Sequence, residues 1–136
     1  MLSTLPTQAF ALPPEQFFRL LLTQVFHIVE DETFVNLIRV VLSELLHGEN
    51  PYFMQLVPTV LQRALSFLGS YIEAKVATGE LRPVEDITAV AQVIMGSMIG
   101  FFLRRQILRD PAALDYTQEQ VVELIIDTTL QGLLPR

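Results

Sequence analysis

The sequence predicts an all-α protein, an antiparallel bundle of about five main helices, and three observations predict it. Apolar residues recur at helical spacing along most of the chain, and no stretch keeps the period-two alternation of a half-buried strand. Glycine and proline fall at intervals that leave helix-length stretches joined by short connections. The 136 residues, 51% hydrophobic and 18% charged, have the length of one domain and carry more apolar surface than an average core absorbs.

Each element has its own local signals. Residues 1–14 hold no charged side chain and contain Pro6, Pro13 and Pro14; without a basic leading segment they read as an apolar arm ahead of a helical domain spanning 15–136. In the first helix, 15–29, Phe18, Leu21, Leu22, Val25, Phe26 and Val29 form the stripe and Glu15 pairs with Arg19 one turn on. Glu30, Asp31 and Glu32 suit the start of a second helix, 34–46, with Phe34, Leu37, Ile38, Val41 and Leu45 on one side. Gly48 breaks the chain, and Asn50-Pro51 offers a cap and first turn for a third helix. That helix is expected to kink or restart at Pro58 and to stop at Gly79. Asp86 caps a fourth helix expected to reach Arg109, its end marked by Arg104, Arg105 and Asp110-Pro111. Thr117-Gln118-Glu119-Gln120 has capping-box form and opens a last helix running to about Gln131, with Gly132 as its stop.

Charge and composition exclude several function classes. Nine Lys and Arg against fifteen Asp and Glu give a net charge of −6, the wrong sign for this chain alone to hold nucleic acid. There is no cysteine for a thiolate metal site, a disulfide or a nucleophile. No Ser/His/Asp arrangement, phosphate loop or glycine-rich nucleotide turn occurs, so neither an enzyme nor a cofactor is expected. His27 and Glu30 stand three apart, a spacing that puts two ligands on one metal, but without a second pair no metal site is expected. Residues 87–103 are uncharged over the length of a short membrane span. Thr88, Gln92, Gly96, Ser97 and Gly100 interrupt them, which favours a buried or interface helix and no membrane partner.

Four segments carry a family resemblance. Phe34 to Glu44 reads FVNLIRVVLSE, an arginine-to-glutamate stretch followed after a short gap by Asn50-Pro51. Leu68-Gly69-Ser70-Tyr71-Ile72 leads to the turn Gly79-Glu80-Leu81-Arg82. Asp86 to Ala91, with Gly96 and Gly100 beyond, makes a small-residue helix, and Val121 to Leu134 ends in Gln131-Gly132-Leu133-Leu134. In this order, over residues 15–134, they resemble the C-terminal regulatory domain of tetracycline-repressor (TetR) family transcription regulators.

The resemblance implies a cytoplasmic homodimer, in which the last two helices of each copy form a four-helix interface, and a pocket for a small, mainly hydrophobic effector among the earlier helices. It also implies DNA-reading heads whose spacing the effector shifts. Those heads are basic helix-turn-helix units, which nothing here matches, so DNA binding is expected to lie in a region absent from this chain. Phe18, Leu22, Phe26, Ile38, Phe53, Leu61, Leu65, Met95, Met98, Ile99 and Phe102 supply the large apolar side chains at the bundle centre, as core or as pocket lining. Gln24, Gln62, Ser66, Gln92 and Ser97 lie near these stripes as polar contacts or solvent-facing groups. Val93, Gly96, Gly100 and Leu103 form a ridge that allows close approach, either across a dimer or within one subunit. Val121, Leu124, Ile125 and Thr128 face inward or across that interface, and Glu119, Glu123 and Asp127 form a solvated row. Two other readings fit the same residues: a freestanding helical carrier of apolar ligands, and a helix-bundle interaction module.

Overall fold

The structure, a computed structural model, describes residues 10–48 and 51–135, without the side chain of Phe53. Six α-helices and one π-helical turn make up the regular structure among the described residues: α1 (Pro14–Val29), α2 (Glu32–His47), α3 (Pro51–Thr78), α4 (Ile87–Phe102), the π turn (Leu103–Ile107), α5 (Pro111–Leu114) and α6 (Gln118–Leu133).

Local chemistry sets most boundaries. Pro14 stands in the first turn of α1, where its missing N–H costs nothing. The Asp31 carboxylate accepts from the Phe34 N–H to open α2, and Gly48 closes it in the left-handed region at φ 66°. Asp86 accepts from the Ala89 N–H at the start of α4. Thr117 and Gln120 form the expected reciprocal box, with N–H to side-chain oxygen distances of 3.1 and 2.8 Å. The cap expected from Asn50 lies outside the described residues.

Three expectations are corrected. Pro58 does not restart the helix, since α3 is one helix of 28 residues that carries Pro58 inside it. Pro58 and Met54, the residue whose carbonyl loses its N–H partner, are both exposed. Gly132 is not the stop of α6, which passes through it to Leu133. The last carbonyls there find donors in Arg82, whose N–H reaches Leu133 O at 2.8 Å and whose Nε reaches Gly132 O at 2.5 Å, so no left-handed glycine is needed. The fourth helix does not run as α-helix to Arg109. It widens after Phe102 into the π turn, closed by Leu108 N–H to Leu103 O at 2.8 Å, and Arg109 takes φ 53°. Asp110 then caps the short α5.

The core lies where α1, α3, α4 and α6 meet. Phe17, Phe18, Leu22 and Phe26 from α1 pack with Leu68, Tyr71 and Ile72 from α3, Ala91, Ile94 and Met98 from α4, and Val121, Val122, Ile125 and Ile126 from α6. Phe17, absent from the expected stripe, stacks on Tyr71 with centroids 3.5 Å apart. The Tyr71 hydroxyl donates to Leu12 O at 2.8 Å, and Phe10 sits edge-on to Phe67, so the described end of the N-terminal arm is seated on α3. Residues 1–9 of the arm lie outside the described residues.

Candidate functional site

The eleven apolar residues proposed from sequence divide by depth. Phe18, Leu22, Phe26 and Met98 belong to the core cluster, with Leu65 and Met95 packed against its edge. Phe102 is buried beside Phe34 of α2, their rings edge to face at 6.2 Å. Ile38 is half-buried, Leu61 and Ile99 are exposed, and the side chain of Phe53 lies outside the described residues. The structure therefore brings six of them together, while Phe102 and Ile38 belong to a second, shallower zone beside α2.

That zone is walled by α2, which is amphipathic yet buries only Val35. Its stripe of Phe34, Ile38, Val41 and Leu45 is half-buried, and Leu37 and Val40 are each 56% exposed. Besides the Phe34 contact, Arg39 of α2 donates to Gln106 O in the π turn at 3.3 Å. Few fully desolvated contacts hold this helix, and such elements open at low cost.

A different arrangement stands on α4 and α6. Val93 is 70% exposed and Leu124 is 47% exposed, with Gly96 and Thr128 also on the surface. Gly100 and Leu103 are half-buried, whereas Val121 and Ile125 turn inward and fill the chain's own core. A Cβ built on Gly96 or Gly100 would meet nothing within 4 Å, so no other described part of the chain uses this ridge for close packing. Between the two helices runs an open groove of about 530 Å³, lined on its apolar walls by Val90, Val93, Ile94, Phe101, Leu124 and Leu133, with Arg82 at its edge. Sequence reasoning missed Arg82 and Phe101. The "glycine, x, leucine, arginine" turn was the available signal for Arg82, but not for where its side chain goes.

Charged groups elsewhere are mostly engaged. The Oε1 of Glu30 accepts from Arg105 Nη2 at 2.7 Å and from Nε at 3.0 Å. Arg105, read from sequence as a helix-end cation, is buried; its Nη1 also donates to the Ala113 and Tyr116 carbonyls. Arg104 pairs with Asp110 at 2.9 Å, and that guanidinium, with the Ala112 N–H, holds the Asp110 carboxyl below its ordinary range. In the acidic row, Glu119 and Asp127 are exposed and Glu123 pairs with Arg19, which lowers the Glu123 carboxyl. Burial, reinforced by the charge of Glu80, pushes the Tyr71 phenol well above its ordinary range. Among the described residues no group of three or more His, Cys, Asp or Glu converges on a metal position. The stretch Ile87–Ile107 is long and apolar enough to cross a membrane by length and composition, and its core-facing residues Ala91, Ile94, Met98 and Phe102 are buried in the bundle.

Neither a curated protein nor a solved structure matches the chain. The family described as "Tetracyclin repressor-like, C-terminal domain" matches over residues 44–121, more than half of the chain. This span takes in the end of α2, all of α3 and α4, the π turn and the opening of α6, which are the elements that carry the uncovered ridge and the Gly79 turn. The chain belongs to the tetracycline-repressor-like C-terminal domain family.

Proposed function

We propose that this chain is the effector-sensing and dimerisation domain of a cytoplasmic TetR-like transcription regulator, coupling a small, mainly hydrophobic ligand to a DNA-binding region outside residues 1–136. The observation that carries the reading is the apolar face of α4 and α6, where Val93 and Leu124 are exposed beside a glycine ridge that the described residues leave open. A second copy related by a two-fold axis covers such a face with its own equivalent, as an isologous interface requires. The lightly held α2, with Ile38 half-buried and Phe34 against Phe102, supports ligand entry there, and its ties to the π turn lead directly to the helices of the proposed interface. Occupancy shifts the dimer geometry only by the difference in ligand affinity between two states.

Sedimentation velocity tests the interface. Val93→Glu places a carboxylate on the exposed face without entering the core and is expected to convert a dimer to a folded monomer, checked by far-UV circular dichroism. A native chain that sediments as a monomer at high micromolar concentration refutes the interface. If that monomer still binds apolar compounds, the carrier reading takes its place.

A further inference from the structure

The α4–α6 groove has a chemical asymmetry that burying a second helix does not account for. Its walls are Val90, Val93, Ile94, Phe101, Leu124 and Leu133, softened by Ser97, Thr128 and Thr129, and among the described residues Arg82 is the one charged side chain lining it. Arg82 is half-buried and forms no ion pair among the described residues. Its Nε is committed to the Gly132 carbonyl, which fixes the guanidinium at the C-terminal end of α6. Its two Nη nitrogens donate to no described group. By contrast, the buried guanidinium of Arg105 has both Nη nitrogens and Nε occupied. A cation beside apolar walls, with its planar donor edge unused, is complementary to a carboxylate or similar anion, which receives two parallel N–H donors. At about 530 Å³ the groove falls within the size range of small-molecule sites.

We propose that the groove between α4 and α6 binds an amphiphile with one anionic head, the head on Arg82 and the apolar body along Val90, Val93, Phe101 and Leu124. This site is separate from the ligand zone beneath α2. It also shares its walls with the face assigned above to the second copy, so ligand and partner compete for it; only this competition rests on the dimer reading.

The probe is dodecanoate, held below its micellar concentration, with dodecanol as the neutral control, each titrated calorimetrically into the full chain. One dodecanoate per chain is expected, bound more tightly than dodecanol. Arg82→Gln keeps an amide donor for the Gly132 carbonyl and removes the charge, and is expected to weaken dodecanoate about tenfold while leaving dodecanol unchanged. A second variant leaves Arg82 in place: Ala89→Glu, at an exposed position lining the groove, tethers a carboxylate there and is expected to have the same selective effect. Failure of dodecanoate to bind, equal affinity for dodecanol, or unchanged dodecanoate affinity in a folded variant of either kind overturns the proposal and leaves Arg82 as a cap for α6 only. Sedimentation in the same titration separates the two readings. Arg82-dependent binding to a chain that is always monomeric sinks the dimer and keeps the site, whereas a dimer indifferent to dodecanoate keeps the dimer and sinks the site.

Discussion

Removing Glu30 should cost this domain a large part of its stability, although the residue sits at a helix end and is not itself fully buried. Arg105 is the reason. Its side chain is 9% exposed, against 22% for that of Glu30, and both guanidinium bonds to the acid converge on Oε1. In Glu30→Ala the guanidinium keeps the Ala113 and Tyr116 carbonyls but loses its counter-charge in a buried site. Breaking a buried pair by deleting one partner costs about 3–5 kcal/mol, and the residual exposure of Glu30 places this one at the lower end, about 3 kcal/mol. Glu30→Gln retains an acceptor without the charge and should cost about 1.5 kcal/mol. Arg105→Lys should cost about 2 kcal/mol, since one ammonium cannot span the acid and both carbonyls. Urea unfolding at a fixed protomer concentration reads these differences, because self-association would otherwise shift the midpoint. With a slope of about 2 kcal/mol/M, Glu30→Ala should lower the midpoint by about 1.5 M. A loss under about 0.5 kcal/mol would show that the pair is worth no more than a surface contact. The location gives the pair a second consequence: it ties the end of α1 to the link between α4 and α6, so amide exchange across residues 108–117 should quicken in Glu30→Ala before global unfolding does.

Two further substitutions isolate single contributions. Tyr71→Phe removes the bond to the Leu12 carbonyl and should cost about 1 kcal/mol. Because the folded state holds the Tyr71 proton more tightly than the unfolded state, stability is fully present below the unfolded phenolic pKa and falls above it. The native protein should lose about 1.4 kcal/mol per pH unit above roughly pH 10 from this group, and Tyr71→Phe should lack that part of the slope; equal slopes in alkaline urea titrations would contradict the burial argument. Gly96→Leu should leave the monomer's unfolding midpoint unchanged or slightly raised, since a Cβ there meets nothing and glycine is a poor helix former, while abolishing self-association. A marked loss of monomer stability would mean that α4 packs more closely on its own chain than the geometry allows.

The parts of this fold that could be read in the sequence are those whose partners lie within three or four residues. Asp31 with Phe34, Asp86 with Ala89 and Thr117 with Gln120 complete their hydrogen bonds inside one turn, and Gly48 and Gly79 need only their own backbone freedom, so the helix boundaries they mark stand as expected. The boundaries that moved depend on distant groups. Gly132 looked like a stop until Arg82, 50 residues earlier in the chain, supplied the donors that let α6 finish without it. Arg104 and Arg105 looked like twin terminal cations, but one pairs locally with Asp110 and the other is drawn into the bundle by Glu30, 75 residues away, at the point where the backbone widens into a π turn. The same division governs the site. Small residues and short spacing expose the α4 ridge to a reader of the sequence, because glycine states directly that something must approach or that nothing need be there. Hydrophobicity alone, however, cannot separate the lining of a pocket from the filling of a core, and the apolar residues proposed as one set fall at every depth from Phe18, fully buried, to Ile99, on the surface. What distinguishes the proposed groove is a guanidinium whose Nη nitrogens have no partner among the described residues, set beside apolar neighbours, and that property belongs to the folded arrangement around Arg82 rather than to any run of residues.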